Sequence, residues 1–201
     1  MPTNAEIKRV KALHQKKYRQ QHGLFIAEGP NMVEALLQSD HSLDRLYATE
    51  EGLQSLNTAF DSNKLSLIKP ATLAAMSALD SAHGMLATVQ LPTHQPELVQ
   101  EPWLIAIDGI QNPGNLGTII RTADWFGFPN LVCSPNTVDA YNPKVVQGSM
   151  GSIFHTRLFY RFLPAIAAKR EAPLYTLEKT GTDLYSTNLP NAGMLVVGHE
   201  T

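Results

Sequence analysis

The chain has 201 residues, 43% of them hydrophobic and 17% charged, with a net charge of −2. That balance excludes a disordered chain and leaves room for one large or two small packed domains. It also gives no overall bias toward nucleic acid, no apolar run reaches the ~18 residues of a membrane span, and the single Cys133 rules out an internal disulfide.

The N-terminus lacks the apolar core of a secretory signal. With the lone cysteine, this sets the expectation of a cytoplasmic protein with no membrane partner. Charge is nevertheless uneven. Lys8, Arg9, Lys11, Lys16, Lys17 and Arg19 fall within one short stretch that holds no acid. They form a candidate phosphate-binding patch, or else a solvated helix face.

In chain order, residues 4–22 read as one helix with an apolar stripe through Ile7, Val10 and Leu13. GLFIAEG (23–29) reads as a strand between glycines. PNMVEALLQS (30–39) reads as a helix with Pro30 in its first turn. LDRLYAT is a strand, EEGLQSLNTAFDS a helix, KLSLIKP a strand, ATLAAMSAL a helix and GMLATVQLP a strand. Residues 1–92 are therefore expected to form a small α/β domain. PTHQPELVQEP follows, proline-rich and polar, and 93–102 is assigned as a linker.

Residues 103–201 open a second α/β domain. WLIAI is a near-continuous apolar run, as in a strand buried on both faces of a parallel sheet. A helix at 115–126, the strand NLVCSP, a helix opened by Asn142–Pro143, and the strand TRLFY follow. After them come the helix FLPAIAAKRE and the strands PLYTLEK and MLVVG. No metal is expected.

The most informative stretch is DGIQNPGNLGTIIRTADWFGF (108–128). On a helical wheel Leu116, Ile119, Ile120 and Ala123 fall within about 100° of one another as a core stripe. Arg121 points roughly 150° from the centre of that stripe, with Thr118 and Trp125 beside it. A Trp next to an Arg on the outward face implies that something covers this face. The turn lies at the carboxyl end of a parallel-type strand, where open α/β sheets hold ligands. Its N-P-G-N-L-G is not the G-x-G-x-x-G of a dinucleotide site.

The string N-P-G-N-L-G-T-I-I-R-T-A closely resembles the first signature motif of the SpoU (TrmH-like) RNA 2′-O-ribose methyltransferases of the SPOUT superfamily. YNPKVVQGSMGSIFHTRL is similar to the segment that follows it in that family. IKRVKALHQKKYRQQHGLFIAEGPNMVEALL is similar to the family's substrate-binding domain. LVVGHET (195–201) resembles the start of the second motif, with His199 where Asn is usual; the third motif is not present.

The resemblance implies an α/β fold with a parallel catalytic sheet. It implies S-adenosyl-L-methionine as cofactor, RNA (rRNA rather than tRNA) as substrate, and a homodimer. It assigns Arg121 to activation of the 2′-hydroxyl, Asn112 to the loop or the ribose, and Glu200 to orienting Arg121. Gly198, Thr176, Leu177 and Glu178 are assigned to the cofactor pocket. The family's trefoil knot is built from residues after the second motif, so it is expected only if the protein continues beyond Thr201; the 201 residues alone are expected to be inactive. His199 leaves a second reading, a non-catalytic RNA-binding member.

Overall fold

Thr3 starts the first helix with a reciprocal cap: its hydroxyl accepts from the Glu6 amide at 3.2 Å, and the Glu6 carboxylate accepts from the Thr3 amide at 3.2 Å. This computed structural model describes residues 2–92, 101–178 and 180–198. Helix α1 (Asn4–Ala12) and α2 (Lys16–His22) replace the single helix expected over 4–22. The chain turns at Leu13–Gln15 because Leu13 is drawn into the core and the Arg19 guanidinium, one helix later, takes the carbonyls of Leu13 and His14 at 2.9 and 3.0 Å. Those carbonyls are orphaned at the end of α1 and need a donor.

The N-terminal lobe then alternates β1 (Leu24–Glu28), α3 (Pro30–Leu37), β2 (Leu43–Ala48), α4 (Glu50–Gln54), β3 (Leu65–Leu67), α5 (Pro70–Met76) and β4 (Met85–Gln90). Its sheet has the order β1-β4-β2-β3, antiparallel except for the β2–β3 pair. Helix α4 is much shorter than the helix expected there. Asn57 and Thr58 instead donate to the Glu34 carboxylate of α3, which gives that backbone a partner outside a helix.

The C-terminal lobe contains β5 (Trp103–Ile107), α6 (Pro113–Trp125), β6 (Asn130–Cys133), α7 (Pro143–Gly148), β7 (Arg157–Tyr160), α8 (Leu163–Ala168), β8 (Leu174–Thr176) and β9 (Gly193–Val197). Its sheet is wholly parallel, in the order β7-β6-β5-β9-β8. The chain winds outward from β5 to β7, then returns to the far edge at β8 and closes with β9 beside β5. The direction of winding therefore reverses between β5 and β9, and a ligand crevice belongs at the carboxyl ends of those two strands.

Helices α6 and α7 cover one face of this sheet, over Ile107, Leu131 and Cys133. Helix α8 lies with Leu104, Ala106, Val132 and Met194 on the other. The first of these clusters does not stop at the lobe boundary: it continues through Phe25, Ala27, Val33 and Leu36 of the N-terminal lobe. Phe25 meets Tyr141 at 4.7 Å between ring centres. Across the same boundary Arg19, 2% exposed, pairs with Asp139 at 2.5 Å. The two lobes thus share an apolar core and a buried ion pair.

Candidate active site

The site is built on the segment that joins β5 to α6. Two buried hydroxyls hold it. The Gly109 amide donates to Ser134 Oγ at 2.8 Å; Ser134 Oγ and Thr137 Oγ1 are 3.1 Å apart, and Thr137 donates to the Ile107 carbonyl at 3.2 Å. Ile110 accepts from the Val138 amide at 2.9 Å, and the Gln111 side-chain amide donates to the Asn136 carbonyl. Tyr160 anchors this second loop, donating to the Val138 carbonyl at 2.6 Å and accepting from the Ala140 amide at 2.8 Å. Burial raises the Tyr160 phenol far above its ordinary value, so it stays a neutral donor. Ser134, Thr137 and Tyr160 carried no signal in the sequence beyond a turn-like Ser-Pro-Asn-Thr.

Asn112 is the N-cap of α6. Its Oδ1 accepts from the amides of Gly114 at 2.8 Å and Asn115 at 3.3 Å. Pro113 occupies the first helical position, where a missing N–H costs nothing. Leu116, Ile120 and Ala123 are buried, as the wheel expects, and Ile119 is half-buried. A Cβ on Gly117 would sit 2.8 Å from the Gly148 backbone carbon, so these glycines let α6 and α7 touch backbone to backbone. Ser149 packs beside them, fully buried, its hydroxyl donating to the Val146 carbonyl at 2.7 Å.

The outward face of α6 carries Asn115, Thr118, Arg121, Thr122 and Trp125, all exposed. Trp125 is 85% exposed and the adjoining Phe126 is 71% exposed. Arg121 makes no hydrogen bond or ion pair among the described residues. It is a fixed cation on a rigid helix with all five of its donors available.

At the crevice, the Asp108 amide donates to the Val197 carbonyl at 2.9 Å, which joins the ends of β5 and β9. Gly198 follows, exposed, and a Cβ there would meet nothing within 4 Å. On the neighbouring strand Thr176 pairs with Val196, and Leu177 and Glu178 come next. The Thr176 hydroxyl donates to Glu178 at 3.1 Å, and Leu177 is 62% exposed. The fold thus brings Gly198, Thr176, Leu177 and Glu178 to the same sheet end as Asn112. An uncovered leucine, a hydroxyl–carboxylate pair and an open glycine backbone suit a nucleoside with a polar tail. Glu200 and His199 lie outside the described residues.

The basic stretch divides in two. Lys8, Lys11, Lys16 and Lys17 are exposed. Arg9 is half-buried, 3.5 Å from Asp44. Arg19 is almost wholly enclosed, and its guanidinium is used by Asp139, Leu13 and His14. Its surroundings make it an interlobe tie, in place of the phosphate contact expected from charge alone.

Comparisons with known proteins fall on the same segments. Residues 102–201 match the SpoU rRNA Methylase family model, and residues 4–87 match that of the MRM3-like substrate binding domain. The chain is 30% identical over 190 residues to the 23S rRNA (guanosine(2553)-2′-O)-methyltransferase RlmP of Bacillus subtilis, covering 94% of this chain and 72% of that one. It is 29% identical to the mitochondrial rRNA methyltransferase 3 of Xenopus tropicalis, of which it spans 36%. A TrmH-family structure from Porphyromonas gingivalis superposes with a TM-score of 0.85 at 30% identity, over 98% of this chain and 81% of that one. The SpoU methyltransferase AviRb of Streptomyces viridochromogenes, solved with AdoMet, has the same fold, with a TM-score of 0.79 at 22% identity over 99% of this chain and 82% of that one. By its sequence and by both of its lobes, the chain belongs to the SpoU rRNA methylase family.

Proposed function

We propose that this protein transfers a methyl group from S-adenosyl-L-methionine to the 2′-hydroxyl of a ribose in structured RNA, with rRNA favoured over tRNA. The observation that carries the reading is Arg121, exposed on the helix that leaves the β5–β9 crevice and without a hydrogen bond or ion pair among the described residues. That the Bacillus subtilis relative is a 23S rRNA 2′-O-methyltransferase supports the choice of rRNA.

S-adenosylmethionine, when bound, supplies an electrophilic methyl group. The protein's part is to align the ribose hydroxyl with it and to favour the oxyanion that develops there. A guanidinium is a poor base, so the role that suits Arg121 is that of a positive charge with directed donors. It clamps the phosphate beside the target ribose and stabilises the developing alkoxide while the hydroxyl proton passes to solvent. Asn112 already spends its Oδ1 on the helix cap, which makes it the residue that aims α6, with its side-chain amide N–H groups left for the ribose. Glu200 is proposed to orient Arg121. Gly198, Thr176, Leu177 and Glu178 are proposed to line the cofactor pocket, and Lys8, Lys11, Lys16 and Lys17 to meet RNA phosphates, with Arg9 at their edge.

A homodimer belongs to the same proposal: Trp125 and Phe126 beside Arg121 offer an apolar surface for a second copy. A cytoplasmic location is likewise proposed, in keeping with a lone Cys133 that is buried and whose thiol burial pushes up to about 12. The test is transfer of labelled methyl to unmodified rRNA by the natural full-length protein, followed by alkaline hydrolysis. A 2′-O-methylated ribose protects its phosphodiester bond. Label recovered in alkali-resistant dinucleotides is expected; label confined to bases, or no transfer, refutes the assignment.

A further inference from the structure

A second cleft lies between the lobes, away from the β5–β9 crevice. It encloses about 630 Å³ and is lined by Asn31, Glu51, Ser55 and His83 of the N-terminal lobe and by Gln147 and Met150 at the end of α7. We infer that this cleft is a nucleobase subsite, which takes a base flanking the nucleotide whose ribose is methylated. The inference rests on the RNA reading above.

Position is the first argument. Gly117, one turn before Arg121, lies against Gly148, and Asp124, one turn after Arg121, reaches His155 at 3.5 Å. Met150 falls between those two contacts, so the chain at Met150 runs along the flank of α6 that carries Arg121. RNA held at Arg121 has this cleft as its neighbour on the side of the N-terminal lobe.

The chemistry of the walls is the second. Among the described residues no lysine or arginine lines the cleft. Its one buried carboxylate, Glu28, is already engaged by the Ser77 hydroxyl and the Ala78 amide. The open Glu51 carboxylate repels a phosphate but accepts from a base's exocyclic amine. The Gln147 and Asn31 amides offer both donors and acceptors to a base edge, and the volume suits one or two bases.

Met150 is the third. Among the described residues it alone, glycines aside, has a positive φ, 52°, and it is 58% exposed on the rim. The left-handed backbone disfavours a methionine and suits a glycine. A side chain kept out of the core at an unfavourable backbone position is placed to serve a ligand, and a thioether packs well against an aromatic face.

The experiment measures binding without catalysis. A fluorescent single-stranded 12-nucleotide RNA of mixed sequence and an abasic chain of equal length are titrated by anisotropy into the wild type, Met150→Gly, Gln147→Ala and Arg121→Ala. The wild type should bind the base-bearing RNA at least ~10-fold tighter, in line with stacking and edge recognition. Met150→Gly and Gln147→Ala should cut that ratio to about 2 or less with an unchanged salt slope, whereas Arg121→Ala should keep it. Met150→Gly should also melt no lower than the wild type, because glycine accepts its φ, so lost recognition cannot be blamed on lost folding. A wild-type ratio near 1, or a ratio unmoved in both cleft variants, overturns the subsite. If the ratio behaves as expected but methyl transfer fails, the subsite stands and the catalytic reading falls.

Discussion

Arg19 is the residue on which charge counting and structure differ most, and it gives a sharp prediction. Its side chain is 3% exposed and that of Asp139 18%; the two meet at 2.5 Å across the lobe boundary, and Nη1 of Arg19 also serves two backbone carbonyls. Replacing Arg19 with Ala strands a mostly buried carboxylate and leaves both carbonyls without their donor. Breaking a buried pair from one side costs about 3–5 kcal/mol. At this chain length each kcal/mol lowers the melting temperature by about 2–4 °C, so a fall of about 6–20 °C is expected. Thermal unfolding by circular dichroism measures it. RNA binding across a salt series, run below both transitions, should give the same slope for wild type and variant. The double variant Arg19→Met/Asp139→Leu should recover much of the loss, since the cost lies in the unpaired charge. A melting temperature within about 1 °C of wild type, with a salt slope lowered by about 1, would mean that Arg19 contacts phosphate, and would refute the architectural role.

Gly117→Ala should destabilise by about 1–3 kcal/mol through overpacking against Gly148 and the Val145 carbonyl. It should also slow methyl transfer more than it weakens RNA binding, because α6 must shift; denaturant unfolding and steady-state kinetics measure the two effects. His41 is half-buried between Phe25 and Phe154, and burial lowers its pKa below the ordinary 6.5. The unfolded chain therefore takes up the proton first, and the stability that His41 contributes above pH 6.5 is lost as pH falls through its folded value. His41→Phe should lose less melting temperature than wild type between about pH 7.5 and 5. Replacing Lys8, Lys11, Lys16 and Lys17 together with Gln should flatten the log–log salt dependence of RNA binding by about 3, leaving the melting temperature nearly unchanged because all four are exposed.

What the letters made legible was local and periodic. The buried stripe of α6 and the apolar strand β5 were readable because periodicity is written in neighbouring residues, whereas the helix starts at Pro113 under an Asn112 cap, two residues before the expected 115. The outward direction of Arg121 followed from the same wheel. What escaped depends on contacts between distant segments. Arg19 looked like one more surface cation because Asp139 is 120 positions away. The hydroxyls of Ser134 and Thr137 gained a purpose only when β6 was laid beside β5. The break at Leu13–Gln15 and the short α4 reflect competing partners, the Arg19 guanidinium and the Glu34 carboxylate, that no helical propensity encodes. The positive φ of Met150 has no signature in residue type at all, since glycine is the expected tenant of that backbone.

The central claim is that Arg121 is a catalytic cation with no structural duty. Its most direct test is single-turnover methyl transfer to RNA by Arg121→Ala and Arg121→Lys, beside their melting curves. Arg121 has no hydrogen bond or ion pair among the described residues, so both variants should melt with the wild type. The loss of one charge-stabilising donor should slow transfer by about 10²–10³-fold in Arg121→Ala, with part of it restored in Arg121→Lys, which keeps the charge but not the fork of donors. Transfer at the wild-type rate by folded Arg121→Ala would contradict the account.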